Sequence, residues 1–205
     1  MRTYGGLTPA ERQLERRSKL LEAALDVVAE DGWRQTTIRR VCARAQLNDR
    51  YLYESFGGLD GLLGTLSEEF VGNGLAALTA ALDFAPHDRR ARTRTCARVG
   101  VDYLTEDPRR GKIMLELLYA ESFAQRREDT LRMLVSIIVE QNTELVGEQA
   151  GSPADAQMAG WVAISGGLEL FMAWLRGEID VAAERLVDFL TEMVESLLEL
   201  RTGRA

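Results

Sequence analysis

Asn48, Asp49, Arg50, Tyr51, Tyr53 and Glu54 crowd hydrogen-bonding and aromatic groups into one short stretch. Donors, acceptors and ring faces of this kind suit the reading of base edges and phosphates rather than bond-making. Groups that could make or break bonds are scarce. His87 is the single histidine, beside Pro86, with no Cys, Asp or Glu at ligand spacing. Cys42 and Cys96 form no CxxC and no zinc pattern, and both are expected to be small core residues. A Glu-x-x-His pair, an Asp-rich metal motif and a phosphate loop are all missing from the sequence. The expectation is a binding protein without catalytic residues, metal or cofactor.

The elements that would hold the polar stretch can be read around it, over TIRRVCARAQLNDRYLYESF from Thr37 to Phe56. Thr36 or Thr37 can cap a first short helix, whose apolar face is Ile38, Val41 and Cys42 at i, i+3 and i+4. Ala43 and Ala45 leave room for a close helix crossing, and Gln46 and Leu47 fill a turn. Asn48 then caps a second helix, with Asp49 in its positive first turn. Leu52 and Phe56, four apart, point inward and leave the six polar and aromatic residues outside.

At these residues the sequence resembles the TetR (tetracycline repressor) family of bacterial transcriptional regulators. Thr37, Val41, Ala45, Leu47, Leu52, Tyr53, Phe56 and Leu62 match its DNA-binding pattern in register. Three positions depart from it: Gln46 replaces the usual Gly, Asn48 the usual Ser, and Leu59 a Lys that often touches phosphate. The resemblance implies DNA-binding roles for Thr37, Asn48, Asp49, Arg50, Tyr51 and Tyr53, with Tyr53 on a phosphate. It also implies that the helix beginning near Leu59 links the DNA-binding domain to the body and sets where the recognition helix points.

Upstream, Thr8-Pro9-Ala10-Glu11 is a capping box, so a first helix is predicted from about residue 9 to Gly32 with Leu21, Ala24, Leu25 and Val28 inward. Arg12, Arg16, Arg17 and Lys19 precede that stripe, and Arg16 and Arg17 are candidates to reach the phosphate backbone. Residues 1–56 carry 10 Lys or Arg against 8 Asp or Glu; residues 57–205 carry 15 against 24. The net charge of -7 therefore sits away from the predicted DNA-binding end, whose partner is double-stranded DNA.

Downstream every segment has helical period and none alternates as a strand does. The prediction is an all-α chain of about nine helices: a helix-turn-helix DNA-binding domain with its N-terminal arm over 1–56, and a larger helical domain over 57–205. Asp107-Pro108 and Ser152-Pro153 open helices, the run Arg126 to Asp129 reads as a bend or solvated turn, and Gly147 to Gly151 is a break. No apolar run approaches the about 18 residues that suggest a membrane span, and the N-terminus has no signal-peptide pattern. A cytoplasmic protein without membrane contact is expected.

One helix-turn-helix touches too few bases to find its site in a genome, so a homodimer reading two half-sites is expected. The last two helices are its candidate seam, with Val162 and Trp174 on one and Leu186, Leu190, Met193 and Leu197 on the other. The resemblance implies an effector pocket in the larger domain, for which Tyr103, Met114, Leu118, Phe123, Trp161 and Phe171 are candidates; few charges interrupt these stripes, which favours an apolar or aromatic molecule. The function so read is a homodimeric repressor released by that effector. The competing readings are a helical ligand-binding protein and a constitutive DNA binder without switching.

Overall fold

The computed structural model describes residues 8–119, 124–146 and 152–202, and among these it is helical throughout, with no strand. The helices are α1 (Pro9–Asp31), α2 (Ile38–Ala45), α3 (Asp49–Phe56), α4 (Leu59–Asp83), α5 (Arg89–Thr105), α6 (Pro108–Tyr119), α7 (Ala124–Val146), α8 (Pro153–Leu175) and α9 (Ala183–Thr202), with a 3-10 turn at Trp33–Gln35. They form two compact units: Met1–Asn73 with Asp107–Ala120, and Gly74–Glu106 with Glu121–Ala205. The first unit thus extends past residue 56 and recovers α6 from far along the chain. The break expected at 147–151 and the arm before Thr8 lie outside the described residues.

In the first unit α1 is the spine. Its capping box is complete: Glu11 N donates to Thr8 Oγ1 at 3.2 Å, and Thr8 N donates to Glu11 Oε2 at 2.6 Å. Leu20, Ala24, Val27 and Val28 are buried in it, and α2, α3 and α6 all pack on this helix. Helix α6 adds the buried Ile113 and Leu117. Its Glu116 accepts the Trp33 N–H at 3.0 Å, just past Gly32, which ends α1 at φ 83°. That carboxylate meets an N–H otherwise left over at a helix end.

In the second unit α5 and α8 both pack against α9, and α7 against α8. A Cβ at Gly160 would lie 3.1 Å from Val135 Cγ1, so the small residue lets α7 and α8 approach closely. Gly167 does the same where α8 meets Leu190 and Met193 of α9. The Arg126 to Asp129 run is not a bend: it lies in the first turns of α7, where Arg132 pairs with Asp129 and Glu128 at i–3 and i–4. Helical charge pairs of that spacing stabilise a solvated helix, which is why a charged run need not break one. Helix α8 alone among the described residues is long and apolar enough to cross a membrane by length and composition, although it packs between α7 and α9.

Candidate nucleic-acid interface

Local signals build the α2–turn–α3 unit. Thr37 Oγ1 accepts the Arg40 N–H at 3.3 Å and starts α2. Gln46 ends it in the left-handed region at φ 54°, the only described non-glycine there, so the position filled by Gly in the resembling family keeps its conformation here at some strain. Asn48 Oδ1 accepts the Arg50 N–H at 2.9 Å and starts α3, with Asp49 Oδ1 sharing the same donor. Val41, Cys42 and Leu52 are buried and lock the pair against α1. Burial, and then the nearby Asp49 charge, pushes the Cys42 thiol above its ordinary value, so Cys42 stays protonated as a core residue. Cys96, on α5, is pushed up to about 11 by burial, which favours its thiol form.

What remains outside is the polar surface that the residue types foretold. Asn48, Asp49, Arg50, Tyr53 and Glu54 are exposed, and Tyr51 is half-buried beneath Arg16, whose Cζ sits 4.5 Å from its ring centroid. Arg50 is engaged along its own helix, with Nε donating to Glu54 Oε1 at 2.6 Å, yet its side chain is 79% exposed. Arg17 lies 4.9 Å over the Phe56 ring and pairs with Glu69 at 3.2 Å, so it is less available than Arg16. Thr37 is exposed at the start of α2.

Two features went unforeseen. Arg39 on α2 and Arg34 just before it are exposed and make no ion pair among the described residues, unlike Arg40, which pairs with Asp31 at 2.8 Å, and Arg44, which pairs with Glu30 and Asp26. The adjacency Arg39-Arg40 beside the Ile38, Val41, Cys42 stripe was the available signal. Gly61 is the second: a Cβ there would fall 1.9 Å from the Phe56 carbonyl oxygen, so only glycine lets the first turn of α4 sit directly on the end of α3.

The candidate effector residues do not gather in one unit. Met114 and Leu118 are on α6, in the first; Tyr103 on α5 and Trp161 and Phe171 on α8 are in the second; Phe123 lies outside the described residues. Tyr103 lies against Gly74, and Phe171 is buried edge-on to Trp174 at 5.7 Å between centroids. The proposed seam divides as well. Leu186 and Leu190 are buried within the chain, on a helix that packs against α5 and α8. A one-face stripe on a helix says that something covers it, not whether the cover is the same chain. Met193 and Leu197 are half-buried, and Trp174 donates its indole N–H to the Val181 carbonyl at 2.8 Å. Val162 is 55% exposed, with Met158 on the same helix at 59% and Phe189 on α9 at 45%.

A short helix, a tight turn and a second helix with a capped start and a polar outer face, carried on a longer first helix, define a helix-turn-helix DNA-binding protein. Residues 20–66 match the pattern of the bacterial regulatory proteins, tetR family. No curated protein matches the sequence. Among solved structures, a transcriptional regulator from Pseudomonas aeruginosa PAO1 is similar at 20% identity and TM-score 0.78, over 95% of this chain and 93% of that one. A TetR-like regulator from Rhodococcus sp. RHA1 is similar at 18% identity and TM-score 0.74, over 94% and 98%. A fatty acid degradation regulator from Bacillus halodurans is similar at 17% and 0.71, over 99% and 98%. Residues 20–66 thus carry the DNA-binding pattern of the tetR-family regulatory proteins, and the chain shares the fold of such regulators along nearly its whole length.

Proposed function

We propose that this regulator is a cytoplasmic homodimeric repressor that leaves its operator when a small apolar or aromatic molecule binds its larger unit. The observation that carries the reading is the pairing of two exposed faces. The outer face of α3 is polar and free of any core role. On α8 an apolar pair, Met158 and Val162 four apart, is exposed, and on α9 Phe189 is exposed. Only 28% of the most apolar stretch of α8 is buried within the chain. Apolar surface left in water costs about 25 cal/mol per Å², and a second copy presenting the same face would cover it with two-fold symmetry. Two recognition helices on one dimer then match two half-sites.

The effector reading draws on Tyr103, Trp161 and Phe171, apolar and aromatic residues of the second unit. The Bacillus halodurans neighbour regulates fatty acid degradation, which puts acyl chains on the panel of candidate effectors for this chain. A mobility-shift assay on promoter DNA beside its own gene, repeated with hydrophobic and aromatic compounds that raise its melting temperature, tests the whole reading. Coupling is reciprocal, so a true effector binds the DNA complex less tightly than the free protein. Compounds that bind both equally would make the chain a constitutive DNA binder.

A further inference from the structure

Glu22, Asp26 and Glu30 stand four residues apart on α1, a stripe of like charge that destabilises a helix unless cations answer it. The cations come from two different elements. From α6, Arg109 Nη1 reaches Glu22 Oε1 and Asp26 Oδ1, each at 2.6 Å, while its Nε and Nη2 hold Asp107 at 2.7 to 3.1 Å. From the last turn of α2, Arg44 reaches Glu30 and, at 3.3 Å, the other oxygen of Asp26. One carboxylate on α1 is therefore shared by α6 and by the first helix of the helix-turn-helix. Asp26 and Arg109 are about 70% shielded from water, 29% and 31% exposed, so this junction is screened less than an ordinary surface pair.

We infer that Arg109 is a positioning residue for DNA binding: through Asp26 it fixes where Arg44, and with it α2 and the attached α3, sits against α1. The inference rests on α3 being the DNA-reading helix. Without Arg109 the Asp26 carboxylate stands between Glu22 and Glu30 with Arg44 as its remaining ion-pair partner among the described residues, and the end of α2 is free to shift. Arg109 is also two residues past the point where the chain re-enters the first unit at Asp107.

The test uses the full chain and a duplex of about 30 base pairs, long enough for two half-sites, selected by the wild-type protein from a randomised library, with a scrambled duplex as control. Arg109→Gln and Asp26→Asn are each expected to weaken binding to the selected duplex by roughly tenfold, and the double variant by no more than either, since residues of one network do not add. Arg109→Lys should recover only part, because one ammonium cannot hold three carboxylates in the fork geometry. All binding is measured well below each variant's melting temperature. A lowered melting temperature with unchanged affinity would make Arg109 a structural staple and overturn the proposal. Additive losses would show that it does not act through Asp26, and would overturn it too. A wild-type chain that selects no duplex would instead overturn the DNA-binding reading beneath it.

Discussion

The outer face of α3 and the outer face of the α8–α9 pair are open to solvent to a similar degree, yet their chemistry is opposite. Tyr53 is 54% exposed and Val162 55%. With Tyr53, the exposed residues of α3 and its cap include Asn48, Arg50 and Glu54; with Val162, the exposed apolar residues are Met158 on the same helix and Phe189 on α9. Water satisfies the first face, which in the proposed reading would exchange that water for phosphates and bases on DNA. Water penalises the second, so in the proposed reading a surface of like chemistry covers it. Exposure alone does not mark a binding surface; the chemistry of what is exposed tells which kind of partner it awaits.

The largest expected effects separate the inner from the outer side of α9 and α8. Leu190→Glu places a carboxylate in the contact with Gly167 on α8, and burying that charge without a partner should cost about 4 kcal/mol or more, visible as loss of helical signal before any question of assembly arises. Val162→Glu sits on the open side. It should leave the fold intact while raising the dimer dissociation constant by roughly a hundredfold or more, read by sedimentation at several concentrations. A folded Val162→Glu dimer of unchanged strength would move the interface elsewhere and remove the contrast on which the comparison stands.

The same contrast explains what could be read in advance. The caps at Thr8, Thr37 and Asn48, the turn at Gln46 and the polar face of α3 are encoded within a few residues of where they act, so spacing and residue type suffice. The inward facing of Leu186 and Leu190 depends on the helices α9 packs against, and the place of α6 in the first unit depends on burying Ile113 and Leu117 and on Glu116 meeting the turn after α1. Periodicity gives the apolar side of a helix and is silent on which element covers it. Gly61 was missed because its reason is a backbone oxygen five residues earlier, invisible until α3 and α4 are folded against each other.

On the polar face, Arg50→Ala should cost about 1 to 3 kcal/mol on the preferred operator and relax selection at one base position, as expected of a guanidinium on a guanine. Because Arg50 is held by Glu54 in the free chain, Glu54→Gln should release it and strengthen binding to DNA of any sequence, with a steeper salt dependence. Competition assays with selected and scrambled duplexes read both. Equal losses on the two duplexes for Arg50→Ala would demote it to a phosphate contact.

Tyr53→Phe is the smallest change and the sharpest probe of what the polar face does. Only the hydroxyl is lost, and Tyr53 is exposed, so the fold has nothing at stake in it; Tyr51, by contrast, lies under the Arg16 guanidinium and would disturb α1 as well. If the Tyr53 hydroxyl donates to a phosphate, its removal should weaken selected and scrambled duplexes alike by about 0.5 to 1.5 kcal/mol, the worth of one hydrogen bond. The salt slope should barely move, because a neutral donor displaces no counterion of its own. A loss confined to the selected duplex would instead put this hydroxyl on a base edge, and the polar face would then read sequence at both Arg50 and Tyr53.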